Sequence, residues 1–351
     1  MNPFHDYYGI EWYLILLAWS AIALGSHFYQ VGFVVRLIRL GKDDDRFNSW
    51  KQRLTEFLRD WLGQRKVVQD KVAGYAHALI FWGFLLLVSD IVDLGTGGLL
   101  QALLSNIQLD GIWNLIVDLG YAMATIGILI ALYRRIIIRP AKLKGASIEG
   151  PLILLAILGI VLTAFIVEAG NMIGEETKYN PWEPIGVLFA KQMDGMDHDT
   201  IASMVDISYW LHMVLIGGFL IEIPQTKHSH IIGTIPNVMF QDHDPMGTMI
   251  PLQTKENNEA VKTDDLDFDN LTLGVNKFAD FTWRQLSDGW ACTACARCQD
   301  VCPAYNSGKT LNPMQIVMDV KDYGREHGSL LLTGKEPEET MVDRFTPDAI
   351  W

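Results

Sequence analysis

The stretch Gly150-Pro-Leu-Ile-Leu-Leu-Ala-Ile-Leu-Gly-Ile-Val-Leu-Thr-Ala-Phe-Ile-Val-Glu-Ala-Gly-Asn-Met-Ile173 decides the fold class of this sequence. Glu168 is its only charged residue. At ~1.5 Å per residue, a helix of this length crosses the ~30 Å hydrocarbon layer of a bilayer. Helices of a globular core do not need so long an apolar run. The stretch therefore predicts a transmembrane helix.

Four further stretches have the same character, and 50% of the residues in the chain are hydrophobic. The first of them follows acidic residues and lacks a small-residue cleavage site, so it predicts a retained helix rather than a secretory signal. The sequence thus predicts an all-α protein, with a five-helix transmembrane bundle and a helical, ferredoxin-like cytoplasmic domain. The four stretches are Tyr13–Val35, Val72–Leu94, Trp113–Ile138 and Val205–Ile223.

The loops between these stretches differ in Lys and Arg content, which sets the orientation of the helices. The loops after the first and third helices are rich in both, whereas the loop after the second has none between Asp93 and Trp113. We expect the basic loops to be cytoplasmic, the N-terminus to lie outside, and the chain to cross the cell (inner) membrane several times. The basic residues are Arg36, Arg39, Lys42, Arg46, Lys51, Arg53, Arg59, Arg65, Lys66 and Lys71, then Arg134, Arg135, Arg139, Lys142 and Lys144.

Composition divides the chain into three predicted parts. Residues 1–240 form the membrane anchor, 241–270 a polar, acidic linker, and 271–351 a cytoplasmic iron–sulfur domain. In the loop 36–71, apolar residues recur at helical spacing between charges, which predicts an amphipathic helix at the membrane surface. The net charge of −13 argues against a nucleic-acid partner.

The run Cys292-Thr-Ala-Cys295-Ala-Arg-Cys298-Gln-Asp-Val-Cys302-Pro303 contains all the cysteines of the chain. Its spacing matches the C-x2-C-x2-C-x3-C-P run of bacterial-type ferredoxins, so we expect the four thiolates to bind a [4Fe–4S] cluster. The alternative is a structural zinc site, whose ligands usually come as two separated pairs. In two-cluster ferredoxins the fourth cysteine serves the other cluster. Either all four bind one cluster here, or a continuation or a partner supplies the remaining ligands.

Histidines inside the predicted spans are the next candidates, because ionisable groups in lipid are costly and usually functional. His212 and His230 are eighteen residues apart, or five turns of a continuous helix, so both would project from one face. That spacing suits one ligand for each of two stacked haems. His228 would lie on nearly the opposite face, although a rotation of the helix at Pro224 would weaken this choice.

Depth in the membrane predicts how the histidines pair. His77 in the second helix is level with His230, and these two form the predicted axial pair of one haem b. His212 lies nearer the outer face, and His27 in the first helix is the remaining candidate, ~10 Å deeper. A second haem requires an axial partner for His212. The alternative for all these histidines is a polar contact between helices, hydrogen-bonded to carbonyl groups.

The residues around these histidines resemble a known family of anchors. The stretch W-L-H-M-V-L to I-P-Q-T-K-H-S-H over residues 210–230 resembles the fifth helix of the gamma subunit of respiratory nitrate reductase, in which histidines at this spacing bind two b haems. The stretch G-Y-A-H-A-L-I-F-W-G over residues 74–83 resembles the second helix of that subunit. The family has a further histidine, for the outer haem, where this sequence has Leu87.

The order of parts is similar to that of fused membrane iron–sulfur reductases related to heterodisulfide reductase. Here a five-helix anchor and an acidic linker precede W-A-C-T-A-C over residues 290–295. The family includes proposed electron-transfer-flavoprotein:quinone oxidoreductases, and its members usually continue with a second cysteine run and CCG domains. The ending Pro347-Asp-Ala-Ile-Trp351 resembles the lead-in to that second run. The resemblance implies menaquinone as substrate, and an electron-transfer flavoprotein or a heterodisulfide-reductase-like subunit as cytoplasmic partner.

Together, these patterns predict electron transfer between a cytoplasmic redox partner and a membrane quinone, through a [4Fe–4S] cluster and haem b. Two alternatives stay open: a heterodisulfide-reductase-like enzyme or its membrane wiring subunit, and a haem-free membrane tether for an iron–sulfur domain. The sequence shows no nucleophile–base motif and no dinucleotide fingerprint, which disfavours a hydrolase or a directly NAD-linked enzyme.

Overall fold

The computed structural model describes residues 10–95, 103–105, 109–140, 148–174, 179–244, 248, 253–254, 271–272 and 274–345. Within these ranges the regular secondary structure is helical apart from two strands of two residues each. Five of the described helices are long and apolar enough to cross a membrane. The prediction of an all-α protein with five spanning helices is confirmed.

The described elements follow one another as a series of long and short helices. In chain order the helices are α1 (Ile10–Ile38), α2 (Trp50–Glu56), α3 (Lys71–Gly95), α4 (Asp110–Tyr133), α5 (Glu149–Gly174), α6 (Pro184–Met193), α7 (His198–Glu222), α8 (His230–Met239), α9 (Trp283–Ala291), α10 (Arg297–Val301), α11 (Pro303–Asn306) and α12 (Pro313–Leu331). Turns of π-helix cover Phe57–Leu62 and Arg134–Ile138, and turns of 3-10 helix cover Val67–Gln69, Lys227–Ser229 and Phe278–Asp280. The strands are β1 (Gln253–Thr254) and β2 (Leu271–Thr272).

The five long helices α1, α3, α4, α5 and α7 coincide with the five predicted spans. Helix α7 begins earlier than predicted, because the Asp197 carboxylate accepts the N–H of Thr200 at 2.9 Å and caps a polar first turn. Apolar side chains on these helices point outward, with Leu17 66% exposed and Ile207 68% exposed. Large apolar surfaces of this kind fit a lipid environment.

One compact unit comprises Met1–Phe28 and Gly63–Ile223. Small residues let α3 and α4 approach closely, since a Cβ on Gly83 would lie 2.6 Å from the carbonyl oxygen of Gly120. Helices α5, α6 and α7 share a buried cluster. Its members are Ala169, Met172, Ala190, Met193, Ile201 and Val205.

The other compact unit comprises Tyr29–Leu62 and Pro224–Trp351. After α1, the N–H of Lys42 donates to the Phe281 carbonyl at 2.8 Å, and the N–H of Trp283 donates to the Lys42 carbonyl at 3.0 Å. The end of α1 therefore belongs to the same unit as the cysteine-bearing segment. Its core consists of Leu37, Phe278, Leu286, Trp290, Val320, Tyr323, Leu331 and Met341.

Helix α2 and the π-helical turn after it lie within the loop 36–71, where the sequence predicts an amphipathic helix at the membrane surface. Trp50 is 54% exposed and Leu54 is 52% exposed, as a membrane-surface role requires. Arg53, in contrast, is 2% exposed, and its Nη1 donates to the carbonyls of Met239 and Gln241 at 3.2 and 3.0 Å. The loop thus also holds the end of α8, a role that helical spacing alone did not predict.

The argument that His212 and His230 share one face of a continuous helix is wrong. Helix α7 ends at Glu222, a 3-10 turn covers Lys227–Ser229, and α8 begins at His230. Pro224 has no N–H to donate, and its ring clashes with the carbonyl four residues earlier, which ends α7. The two histidines therefore belong to different helices, and their eighteen-residue spacing does not define a shared face.

Parts of the predicted linker and the predicted lead-in at the end of the sequence lie outside the described residues. These parts are 245–247, 249–252, 255–270 and 346–351. The described part of the linker includes β1, which pairs antiparallel with β2 so that Gln253 lies opposite Thr272.

Candidate functional site

The four cysteines lie on a loop and two short helices that follow α9. Helix α9 begins at a capping box, in which Thr282 Oγ1 accepts the N–H of Gln285 and the Gln285 side chain accepts the N–H of Thr282. Its C-terminal cap is Cys292, whose N–H donates to the Gly289 carbonyl at 3.3 Å. The remaining three lie in the loop after α9, in α10, and between α10 and α11: Cys295, Cys298 and Cys302.

The backbone of this loop has an unusual conformation that directs N–H groups toward sulfur. Ala294 and Ala296 have positive φ angles of 52° and 63°, in the region that L-residues seldom adopt. The N–H of Ala294 donates to Cys292 Sγ at 3.4 Å, and the N–H of Tyr305 donates to Cys302 Sγ at 3.5 Å. Hydrogen bonds to sulfur are one of the ways in which proteins stabilise iron–sulfur clusters. The loop therefore fits such a cluster.

All four cysteines are free thiols, so each can offer a thiolate ligand. A tetrahedral zinc site would bring the Sγ atoms about 3.8 Å apart around one ion, with Zn–S bonds of ~2.3 Å. The iron–sulfur interpretation therefore rests on the spacing of the cysteines in the sequence and on the N–H groups directed at sulfur, and zinc stays the alternative.

The thiols of Cys292 and Cys298 both have pKa values above the ordinary one. Burial is the largest cause in each case, and nearby cysteines raise both pKa values further. Lys321 acts in the opposite direction and favours the thiolate of Cys292. Because metal ligands must be deprotonated, a bound cation would stabilise the thiolates here.

One other group in the described residues has the geometry of a metal site, and it is already neutralised. Glu326, His327 and Glu339 lie close together. Arg344 forms ion pairs with Glu326 and with Glu339, the second at 3.2 Å. These pairs explain the cluster as part of the fold of the second unit.

The histidine segment at the start of α8 lies in the same compact unit as the cysteines. The rings of His228 and His230 have centroids 5.8 Å apart, and His230 Nδ1 lies 2.7 Å from the Lys227 carbonyl. Burial is the main cause that lowers both pKa values, that of His228 to about 4. Low pKa values keep the imidazoles neutral, which is the form that binds metals.

Helix α8 and the start of the cysteine loop meet through their backbones. Ser229 Oγ donates to the Trp290 carbonyl at 3.0 Å, and a Cβ on Gly233 would lie 2.7 Å from the same oxygen. Only glycine leaves room for this approach. Because Trp290 is two residues before Cys292, the contact joins the segment of His228 and His230 to the first candidate cluster ligand. We call this contact the α8–α9 junction.

Further side chains fix α8 in its unit. Arg284 Nε donates to the Phe240 carbonyl and Nη2 to the Asn237 carbonyl, each at 3.0 Å. Trp61 Nε1 donates to Thr234 Oγ1 at 3.2 Å. The Arg284 and Arg53 contacts satisfy carbonyls at the C-terminal end of α8 that the helix itself leaves unpaired.

The other candidate haem ligands, His27, His77 and His212, lie in the first unit. His212 Nδ1 is 2.9 Å from both Thr163 Oγ1 and the Ile160 carbonyl of α5, and His27 Nδ1 is 2.8 Å from the Leu220 carbonyl of α7. His77 is half-buried on α3. Next to it, a Cβ on Gly127 of α4 would lie 2.6 Å from the Ala76 carbonyl. The pairing of His77 with His230 joins residues of the two units and stays a prediction.

Four charged residues of the described ranges are buried without having been predicted to be: Arg53, Asp60, Asp118 and Lys321. Asp118 lies within α4 and is 1% exposed, and its two carboxylate oxygens accept the N–H groups of Ile185 and Gly186 at 2.8 and 3.0 Å. It therefore caps the N-terminus of α6, where backbone N–H groups favour an acidic side chain. For Asp118, a single charge in an otherwise apolar stretch is the signal that could have identified the position.

The chain is similar to two longer proteins over most of its length. It is 29% identical to a probable iron-sulfur-binding oxidoreductase FadF of Bacillus subtilis, over 92% of this chain and 44% of that protein. It is 28% identical to an EtfAB:quinone oxidoreductase of Syntrophomonas wolfei, over 81% of this chain and 39% of that protein. The chain thus spans less than half the length of these curated relatives.

A third similarity covers fewer residues at a higher sequence identity. Over 61 residues, 17% of this chain and 9% of the relative, it is 50% identical to a probable membrane-anchored ferredoxin of Chromohalobacter salexigens. No family model and no solved structure matches the chain. With the five apolar helices, these relatives support a membrane protein of the iron–sulfur oxidoreductase class.

Proposed function

We propose that this chain is the membrane and iron–sulfur part of a quinone-linked oxidoreductase. In this proposal, Cys292, Cys295, Cys298 and Cys302 hold one [4Fe–4S] cluster. When bound, the cluster and haem b would carry single electrons, while the protein sets their ligation, spacing and polarity. The chain would thereby connect a cytoplasmic redox carrier with a quinone in the bilayer.

The observation that carries this proposal is the α8–α9 junction. Ser229 lies between His228 and His230 in the sequence and bonds to the Trp290 carbonyl at 3.0 Å, two residues before Cys292. Electron transfer needs its carriers held at fixed, short separations by rigid elements. A buried backbone contact between the two ligand-bearing segments meets that need.

The histidines would hold the haem. We assign His77 and His230 to one haem b, and His212 with His27 to a second haem if one is bound. His230, His212 and His27 each place Nδ1 against a backbone carbonyl. In metal sites that contact fixes the tautomer and makes Nε2 the ligand atom.

Orientation and partners follow from the loops and the relatives. The basic loops after α1 and α4 support a cytoplasmic position for the iron–sulfur domain in the cell (inner) membrane. The name of the Syntrophomonas wolfei relative includes EtfAB and quinone as its partners. By analogy, we infer menaquinone as substrate here, and an electron-transfer flavoprotein or a heterodisulfide-reductase-like subunit as carrier.

The second candidate function is a haem-free membrane tether for the iron–sulfur domain. The contacts of His27 and His212 with carbonyls of neighbouring helices favour it, because polar contacts between spanning helices have this form. The two candidates differ in whether the purified protein contains haem.

Spectroscopy on the purified protein tests the proposal. We would record dithionite-reduced-minus-oxidised spectra and quantify pyridine haemochrome in the wild type and in His77→Ala and His230→Ala. His198→Ala is the matched control, since its side chain is 80% exposed. We expect haem b in the wild type and the control, and loss of haem in both other variants.

Each other result has a defined meaning. If the wild-type protein contains no haem, electron transfer through haem b is refuted, and the membrane tether for the iron–sulfur domain is the function that stands. If His230→Ala retained haem and His228→Ala lost it, the axial ligand would be His228 instead of His230. A stoichiometry near two per chain would require His212 to have an axial partner.

A further inference from the structure

Helix α12 carries a charged side chain that is enclosed by the second unit. Lys321 is 1% exposed, and its neighbours Val320 and Tyr323 belong to the apolar core. Its Nζ donates to Ser229 Oγ at 2.9 Å and to the Thr226 carbonyl at 3.3 Å. Burying an ammonium group is costly, so its interactions must offset a large loss of hydration. Packing alone would favour an apolar residue at this position.

The position of Lys321 connects it to both candidate ligand segments. On one side, a Cβ on Gly289 would lie 3.0 Å from Lys321 Cβ, so α9 and α12 are in direct contact just before the cysteine loop. On the other side, Nζ bonds to the turn that precedes His230. Ser229 accepts from Lys321 and donates to the Trp290 carbonyl, which completes a buried chain across the α8–α9 junction.

The charge of Lys321 lies close to the first candidate cluster ligand. Lys321 Nζ is 2.9 Å from Ser229 Oγ, and the same hydroxyl is 3.0 Å from the Trp290 carbonyl oxygen, two residues before Cys292.

We propose that Lys321 is a positioning residue that raises the reduction potential of the cluster held by Cys292–Cys302. The inference rests on the proposed cluster site. Each one-electron reduction adds a negative charge to a site that already contains four thiolates, and net charge is one of the factors that set cluster potentials. A cation in a buried, weakly screened environment favours the more negative, reduced state. Lys321 would also hold the turn before His230 against the cysteine loop.

A redox titration followed by electron paramagnetic resonance tests this inference on the purified protein, with dithionite as reductant. Lys321→Met removes the charge and the hydrogen bonds, Lys321→Gln removes the charge but keeps a shorter side chain with an N–H donor, and Lys321→Arg keeps the charge. Arg325→Gln is the matched control, because Arg325 is exposed on the same helix. We expect Met and Gln to lower the equilibrium constant for cluster reduction at least tenfold, or about 59 mV for one electron. In Lys321→Arg, which keeps the charge, this equilibrium constant should stay much closer to that of the wild type. In Arg325→Gln it should stay within threefold of the wild type.

Several results would overturn the inference while leaving the proposed function intact. If the wild type contains the cluster and both Met and Gln titrate within threefold of it, the charge does not tune the potential. A shift in Met alone assigns Lys321 a hydrogen-bonding role only. Loss of the cluster from all three Lys321 variants, with normal iron in Arg325→Gln, makes the residue purely structural. A wild type without a cluster refutes the proposed function as well.

Discussion

Replacement of Gly233 by alanine tests the α8–α9 junction directly. The added Cβ would lie 2.7 Å from the Trp290 carbonyl oxygen and 3.0 Å from the Ala291 nitrogen, whereas ordinary contact begins at 3.4 Å. Both are backbone atoms, so the helices must separate. Overpacking costs ~1–3 kcal/mol, against the ~1 kcal/mol that alanine gains over glycine within a helix. We expect a net loss of stability of up to about 2 kcal/mol.

Thermal unfolding of the purified protein, followed by tryptophan fluorescence, provides the measurement. For a unit of this size the loss corresponds to a fall in Tm of up to about 8 °C. We also expect faster alkylation of Cys292 in the cluster-free protein, because its end of α9 is released. Gly32→Ala is the control, since a Cβ there meets nothing within 4 Å, and it should keep or raise the Tm. Equal Tm values and equal alkylation rates in Gly233→Ala and the wild type would refute the junction.

Two further predictions concern other buried or paired carboxylates. Asp118→Ala should lower the Tm more than Asp197→Ala, because it leaves two N–H groups of α6 without their acceptor, at ~1–3 kcal/mol each; equal losses at this buried cap and the exposed one would contradict the reasoning. For Glu56, burial raises the pKa, but hydrogen bonds from Gln52, His243 and Gln241 outweigh it and hold the pKa below the ordinary value of 4.5. The stabilisation is therefore present above pH 4.5 and is lost as the pH falls through the lowered pKa. The Tm difference between the wild type and Glu56→Gln should accordingly shrink in acid; a difference independent of pH would show that ionisation of Glu56 does not matter.

The spanning helices could be predicted because long apolar runs have few other solutions. The run Gly150–Ile173 coincides with α5 within one residue at either end. Boundaries were less accurate where polar residues begin a helix, as at His198, because an N-cap such as Asp197 depends on a local hydrogen bond rather than on hydropathy. The same limit applies to α6, a short helix in a polar loop whose N-terminus is capped by a residue from α4.

The candidate site was predictable only in part. The spacing of Cys292 to Cys302 identified a metal-binding run without any structure, since these ligands are neighbours in sequence. The relation between His212 and His230 was predicted wrongly, because Pro224 ends α7 instead of only rotating a continuous helix. Lys321 could not be linked to either motif, because its contacts with Thr226 and Ser229 join residues more than ninety positions apart.

The central claim is that the cysteine run holds one four-iron cluster. Iron and acid-labile sulfide analysis of the anaerobically purified protein, combined with electron paramagnetic resonance after dithionite reduction, tests it most directly. We expect, beyond any haem iron, about four iron atoms and four sulfides per chain, with the signal of a reduced [4Fe–4S] cluster. A protein with one zinc ion per chain, no sulfide and no such signal would contradict the account.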